Sequence, residues 1–291
     1  MQQKKYDRAA EDFGNIVGIG HVNVCITDQH HGTDYYVTGL GYTRDPYLNT
    51  ASGNMWINVG MSQFHLPMGT PDVLRGVVGL VSPDREALLH RLAQVRKKLE
   101  GTKFDFRESN DCVETVCPWG NRIHVHTPDV ERFGRVMLGM PYVRFDVRPG
   151  TADRIARFYR EILHAPSVVH KNGAGPEARV QVGEKQYLYF RETDAPEKPY
   201  DKHHVQIYIA DFSGPYRRLA DLGLITAESN QYEYRFQDVI DLDTREVLFT
   251  VEHETRSQTN PMYGRPLVNR NPAATNQDYK PGHDRMSWAM P

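Results

Sequence analysis

The chain has 291 residues, a formal net charge of -2 and a sequence pI of about 6.7. This balance gives no electrostatic reason to expect nucleic acid or an anionic membrane as a partner. The sequence contains no apolar run of the ~18 residues that a membrane-spanning helix needs, and its charged start lacks the apolar core of a secretory signal. Three cysteines do not make a disulfide framework. We therefore expect a cytoplasmic protein of one large domain or two ordinary ones.

A polar lead-in over residues 1–15 precedes the first predicted strand. From Ile19 to Asp28 polar and apolar residues alternate, as they do in a strand with one wet and one buried face. His21, Asn23 and Cys25 share the polar face. Imidazole, amide and thiol groups that point into the same space can coordinate a metal or hydrogen-bond a substrate. The strand therefore carries the first candidate site.

The order of strand, helix and further strands recurs along the chain. Each unit has a strand followed seven residues later by a Pro or Asp that opens a helix, and its reference positions are His21, Gly76, Tyr142 and His204. Amphipathic helices are predicted over residues 85–99, 155–163 and 216–222. The units start near residues 16, 73, 139 and 202, a period of roughly 60, which indicates an internal repeat.

Four strand–helix–strand–strand–strand (βαβββ) units in tandem resemble the vicinal oxygen chelate superfamily, which includes glyoxalase I, bleomycin-binding proteins and extradiol ring-cleaving dioxygenases. The segments that carry the resemblance are Gly20-His21-Val22, Gly39-Leu40-Gly41-Tyr42, Trp119-Gly120-Asn121-Arg122-Ile123-His124, Arg157-Phe158-Tyr159 and His203-His204-Val205. The resemblance covers residues 16–254 and implies an α+β fold, in which two units pair to form one half-open barrel. It predicts two such domains, over residues 16–135 and 136–254.

The last segment, residues 255–291, departs from the repeat. It contains five prolines among Asn, Arg and Gly, so no long helix or strand is expected. Its aromatic residues leave two interpretations open. The segment is either a disordered tail, or it wraps over its own domain or over a partner subunit.

In the superfamily, metal ligands come from the first and last strand of each unit. For residues 16–135 these positions are His21, His65, Gly76 and His124, with His124 standing where the family usually has glutamate. The resemblance thus implies a metal held by His21, His65 and His124. Three neutral imidazoles suit a divalent transition metal, Fe(II) first, with Zn, Mn or Ni as alternatives. Gly76 would leave one side open for the substrate.

Other residues are placed around this predicted centre. Asn23 and His126 are the candidate catalytic groups, and Trp56 and Trp119 join Gly76 as candidate substrate-binding residues.

The second predicted domain has Tyr142, Leu188, His204 and Leu248 at the same positions. One histidine and two leucines do not make a metal site, and using Glu252 instead of Leu248 still leaves a ligand missing. This domain is therefore expected to be structural or to bind a ligand.

The predicted function is that of a metal-dependent enzyme acting on a small substrate with two vicinal oxygens. The four-unit layout is most like the ring-cleaving dioxygenases, so an oxidoreductase is the first expectation. A glyoxalase-type lyase or isomerase is an alternative, and so is a metal-free protein that binds a small molecule between aromatic walls. We expect a homo-oligomer whose partner is a small molecule, with neither nucleic acid nor membrane bound.

Overall fold

The computed structural model describes residues 6–48, 53–172 and 175–270. Over these residues the chain folds into two eight-stranded mixed sheets. In chain order the strands are β1 (Ile16–Asn23), β2 (Thr43–Arg44), β3 (Asn54–Val59), β4 (Ser62–Pro67), β5 (Gly76–Val81), β6 (Asp105–Glu108), β7 (Val113–Val116), β8 (Arg122–His126), β9 (Gly139–Val147), β10 (Ser167–Asn172), β11 (Gly175–Gly183), β12 (Gln186–Glu192), β13 (His204–Ile209), β14 (Ile225–Asn230), β15 (Glu233–Ile240) and β16 (Val247–Ser257).

Short helices connect the strands. They are a 3₁₀ turn (Ala9–Glu11), α1 (Gln29–Gly32) continuing into a π-helix (Thr33–Gly39), α2 (Arg85–Val95), α3 (Val130–Phe133), α4 (Ala152–Leu163) and α5 (Ser213–Asp221). Asp28 caps α1 and Asp84 caps α2 by accepting hydrogen bonds from backbone amides of the first turn, so the predicted helix starts are real. No helix in the described ranges has the length and apolar character needed to span a membrane.

Each unit places its first strand beside its last, and the two sheets have the orders β14-β15-β16-β13-β1-β4-β3-β2 and β10-β11-β12-β9-β5-β8-β7-β6. The predicted α+β fold of four tandem βαβββ units in two half-open barrels is confirmed. We call the first sheet, β1–β4 with β13–β16, the terminal half-barrel. The second, β5–β12, is the central half-barrel.

The pairing of the units differs from the prediction. β1 pairs antiparallel with β13, and β5 pairs antiparallel with β9. The first unit therefore shares a sheet with the fourth, and the second with the third. The predicted division into domains 16–135 and 136–254 is therefore wrong. The sequence repeat defines each unit, but it does not determine which units pair through their first strands.

Aromatic side chains join the two half-barrels. The ring of Phe145 on β9 lies 5.4 Å from that of Phe190 on β12 and 5.3 Å from that of Phe249 on β16, centroid to centroid. All three side chains are buried. Burying a phenylalanine stabilises a fold by about 1.5–3 kcal/mol, so this cluster helps to hold the two sheets together.

The segment after β16 returns across its own sheet. The Arg265 guanidinium lies 2.6 Å from the buried Asp45 carboxylate, and the Asn269 side chain both donates to and accepts from the backbone of Gly60. As far as residue 270, the segment therefore wraps over its own half-barrel, which is one of the two interpretations left open by the sequence. Residues 271–291 lie outside the described part of the chain.

Gly76 does not line an open side of a site, which corrects its predicted role in substrate binding. A Cβ at Gly76 would lie 1.7 Å from the backbone oxygen of Arg144 and 2.9 Å from the Cα of Phe145. The absence of a side chain at Gly76 is what lets β5 and β9 approach each other.

We expect Gly76→Ala to destabilise the fold by about 1–3 kcal/mol or more, because the clash is with backbone that cannot swing aside. The midpoint of urea unfolding measures it. Gly18→Ala is the matched control, since the nearest heavy atom to its Cβ would be 3.6 Å away. Equal midpoints for the two variants would show that the close approach of β5 and β9 is not needed for stability.

Candidate metal centre

Three histidines converge in the terminal half-barrel. His21 on β1, His65 on β4 and His204 on β13 have ring nitrogens that all lie within 4.8 Å of one another. The register explains the convergence, because Asn23 on β1 lies opposite His204 on one side and beside His65 on the other. Three adjacent strands thus supply one imidazole each.

The spacing of the ligand atoms suits a single ion. Nε2 of His21 is 3.4 Å from Nε2 of His204. On β16, Oε2 of Glu254 lies 3.8 Å from Nε2 of His21 and 3.4 Å from Nε2 of His204. Metal bonds of ~2.1 Å in a tetrahedral site place neighbouring ligand atoms about 3.4 Å apart. The donor set therefore fits a divalent transition metal.

His65 is held in place and has one nitrogen without a partner. Its ring stacks on Trp56 with a centroid separation of 3.9 Å, and its Nδ1 is 2.7 Å from the Nδ2 of Asn23. Its Nε2 is buried and has no hydrogen-bond partner among the described residues. A buried polar atom left unpaired is costly, and a bound cation would satisfy it.

The protonation states also favour a cation. Burial lowers the pKa of His21 well below its usual value and that of His65 to about 3, so both rings are neutral at pH 7 with a lone pair available. Burial alone would raise the pKa of Glu254, but the hydrogen bond from His204 and the charge of Arg256 hold the pKa below its usual range. Two neutral rings and a carboxylate therefore face the same point.

Glu254 is surrounded by arginines as well as histidines. Arg235 and Arg256 each bring a guanidinium nitrogen to 2.6 Å from one of its oxygens. Glu233 contacts the same two guanidinium groups, and Glu252 contacts Arg235. This charged cluster keeps the Glu254 carboxylate ionised and fixes where its oxygens point.

The structure brings together only part of the predicted ligand set. His21 and His65 meet, but His124 lies on β8 of the central half-barrel, where its parallel neighbour is Gly79. The third histidine of the cluster is His204. It was not predicted as a ligand, because the fourth unit was expected to pair with the third unit and not with the first. Glu254 was missed as well, although Glu252 on the same face of β16 was considered.

The other predicted site residues divide in the same way. Asn23 and Trp56 both contact His65, and their catalytic and substrate-binding roles stay predictions. His126 lies in the central half-barrel, where its Nδ1 is 3.3 Å from the Asp111 carbonyl oxygen and its Nε2 is 2.9 Å from the Tyr142 hydroxyl.

Trp119 is buried, and its indole N–H donates to Thr27 in the segment after β1. Its role is to hold that segment rather than to line the histidine cluster. The predicted parts of His126 and Trp119 in a site with His21 and His65 are therefore wrong, because both predictions rested on the first and second units sharing one cavity.

The fold described above is shared with solved structures of other proteins. The chain has the fold of the vicinal oxygen chelate superfamily. One structure it resembles is a putative dioxygenase from Bacillus subtilis, with 16% identity, a TM-score of 0.57 and coverage of 85% of this chain and 87% of that one. Another is glyoxalase I from Zea mays, with 14% identity, a TM-score of 0.57 and coverage of 87% and 96%. No family profile and no curated protein matches the sequence. Identities this low establish a common fold alone.

Proposed function

We propose that this chain is a metal-dependent oxidoreductase of dioxygenase type, which binds a small substrate with two vicinal oxygens at the cluster of His21, His65 and His204. The observation that supports this most directly is the buried, unpartnered Nε2 of His65, a residue that clusters with two other histidines. A divalent metal bound there, with Fe(II) as the first choice, would supply Lewis-acid and oxygen-activating chemistry.

Residues next to His65 and His204 determine which ring nitrogen of each histidine can bind a metal. For His65 to offer the lone pair of Nε2, its proton must sit on Nδ1 and be donated to the side-chain oxygen of Asn23, which requires the amide oxygen to face the ring. His204 has Oε1 of Glu252 3.5 Å from its Nδ1. Asn23 and Glu252 are thus positioning residues for two of the three rings.

The protonation behaviour of Glu254 favours one of two kinds of reaction. A glyoxalase-type lyase or isomerase removes a proton from carbon, and its base works best with a pKa near the working pH. Glu254 is the carboxylate beside the histidines, and the cations around it lower its pKa. It is therefore a weak base, and this favours the oxygenase over the lyase.

The glyoxalase-type reaction remains the second candidate, supported by the position of Glu254. Glu254 and His65 occupy matching places, each on the last strand of its unit and facing the same cluster. The two pairs, His21 with His65 and His204 with Glu254, would provide four ligands.

Oxygen uptake separates these possibilities. The purified protein is loaded with Fe(II) without oxygen and given catechol-type and dicarbonyl compounds, and oxygen consumption is recorded beside isomerisation of the methylglyoxal–glutathione adduct. Uptake that depends on Fe(II) supports the oxidoreductase. Isomerisation without uptake identifies the lyase. Failure to retain metal after loading contradicts both and leaves the metal-free binding protein as the remaining candidate.

A further inference from the structure

The central half-barrel contains a cavity of its own, separate from the histidine cluster. Its volume is about 530 Å³, within the range of small-molecule sites. The inner faces of β8, β9, β11 and β12 line it, with Tyr142 and Tyr189 forming an aromatic wall and Arg144 among the polar groups.

Most of the carboxylates around this cavity already have a cation. Asp111 pairs with Arg132, Glu177 with Arg191, and Glu114 with Arg107. The fourth acidic residue of the lining, Glu131, is exposed at the rim.

Two of the arginines have no such partner. Within the part of the chain that the structure describes, Arg144 forms no ion pair, and its Nε is buried without a hydrogen-bond partner. Arg179 has no carboxylate partner among those residues either, and it lies over the ring of Tyr187 at 3.8 Å from the centroid. The lining thus has two arginines without a carboxylate partner, whereas its one carboxylate without a cation is the exposed Glu131.

An uncompensated guanidinium in a partly buried wall is unfavourable. Burial and the neighbouring charge of Arg191 lower the pKa of Arg144, and the more distant charges of Asp146 and Glu177 do not offset them. Burial, and then the charge of Arg144, lower the pKa of His124 to about 4, so His124 adds a neutral hydrogen-bonding ring beside the cation.

A metal is a poorer fit for this cavity, although Cys112, His124 and His126 have ligand atoms within 4.8 Å of one another. In the neutral His126 ring, one nitrogen donates to the Asp111 carbonyl and the other accepts from the Tyr142 hydroxyl. His126 therefore has no lone pair to spare.

We propose that the central half-barrel binds a small molecule bearing a carboxylate or phosphate group, with the anion on Arg144 and the body against Tyr142 and Tyr189. A guanidinium presents two parallel N–H donors to either anion, which makes Arg144 the main source of affinity. This binding does not depend on the proposed oxidoreductase activity.

Calorimetric titration of the full-length protein with benzoate and with inorganic phosphate tests the proposal. Wild type should bind at least one probe saturably, and benzyl alcohol should not bind. Benzoate alone identifies a carboxylate ligand, and phosphate alone a phosphate ligand. Arg144→Gln should weaken binding at least tenfold, which equals about 1.4 kcal/mol.

Arg122→Gln is the matched control, because Arg122 lies on β8 but pairs with Asp146 outside the cavity. It should leave the affinity within twofold, and so should His65→Ala, which disrupts the other half-barrel. If Arg144→Gln does not fold, Arg144→Lys replaces it and should bind more weakly than wild type. No saturable binding to wild type, or equal affinity in the Arg144 variant, overturns the proposal.

Discussion

A His204→Ala variant is expected to lose stoichiometric metal, whereas a His124→Ala variant should keep it. Nε2 of His204 lies 3.4 Å from that of His21, and His124 lies on a strand of the other half-barrel. Removing an outer group around a metal typically costs 10–100-fold in affinity, and loss of a ligand should cost more than about 100-fold. Elemental analysis of protein purified without chelators gives the metal content, and competition with a chromophoric chelator gives the affinity.

The two variants are well matched, because each removes one partly or fully buried histidine from a strand. Circular dichroism and thermal melting show whether both remain folded. Metal loss in His124→Ala with full occupancy in His204→Ala would contradict the proposed centre and restore the ligand set expected from the sequence.

Glu254→Gln is expected to weaken metal binding by about 10–100-fold, the range found when carboxylates around a metal are changed. The carboxylate is 3% exposed and lies within 3.8 Å of Nε2 of both His21 and His204. The amide keeps the shape of the side chain but removes the negative charge that offsets a cation. A competition titration at constant pH and ionic strength measures the change.

Glu233→Gln provides the control for this experiment. Glu233 contacts the same two arginines as Glu254, and both carboxylates are buried. Of the two, only Glu254 approaches the histidines. A similar loss of affinity in both variants would mean that Glu254 acts by holding the arginines rather than at the metal.

The units of the fold were predictable because their signals are local. Period-two alternation marks β1, and helix caps lie at or directly after the Pro or Asp of the repeat, at Asp28 in the first unit and at Asp84 after Pro83 in the second. His21, His65, Asn23 and Trp56 could be found for the same reason, since they all belong to the first unit. Strand and helix patterns extend over a few residues, so they predict local structure and not which distant strands pair.

The partner of that unit could not be predicted from such patterns. The contact that completes the centre joins His21 to His204, which are 183 positions apart. On β16, Glu252 and Glu254 share a face, so alternation alone cannot choose between them. The choice depends on the register, in which Glu252 lies beside His204 and Glu254 beside Gln206.

The pairing of the first unit with the last has a consequence for synthesis on the ribosome. β5–β12 emerge together and can complete their sheet early, while β1 must wait for β13. During that interval β1 is an unpaired edge strand, which is prone to pair with other chains. A nascent chain released between residues 192 and 204 would hold a finished central half-barrel but would lack the third histidine of the cluster. If the proposed metal site is correct, metal content would distinguish chains that include β13 from chains that end before it.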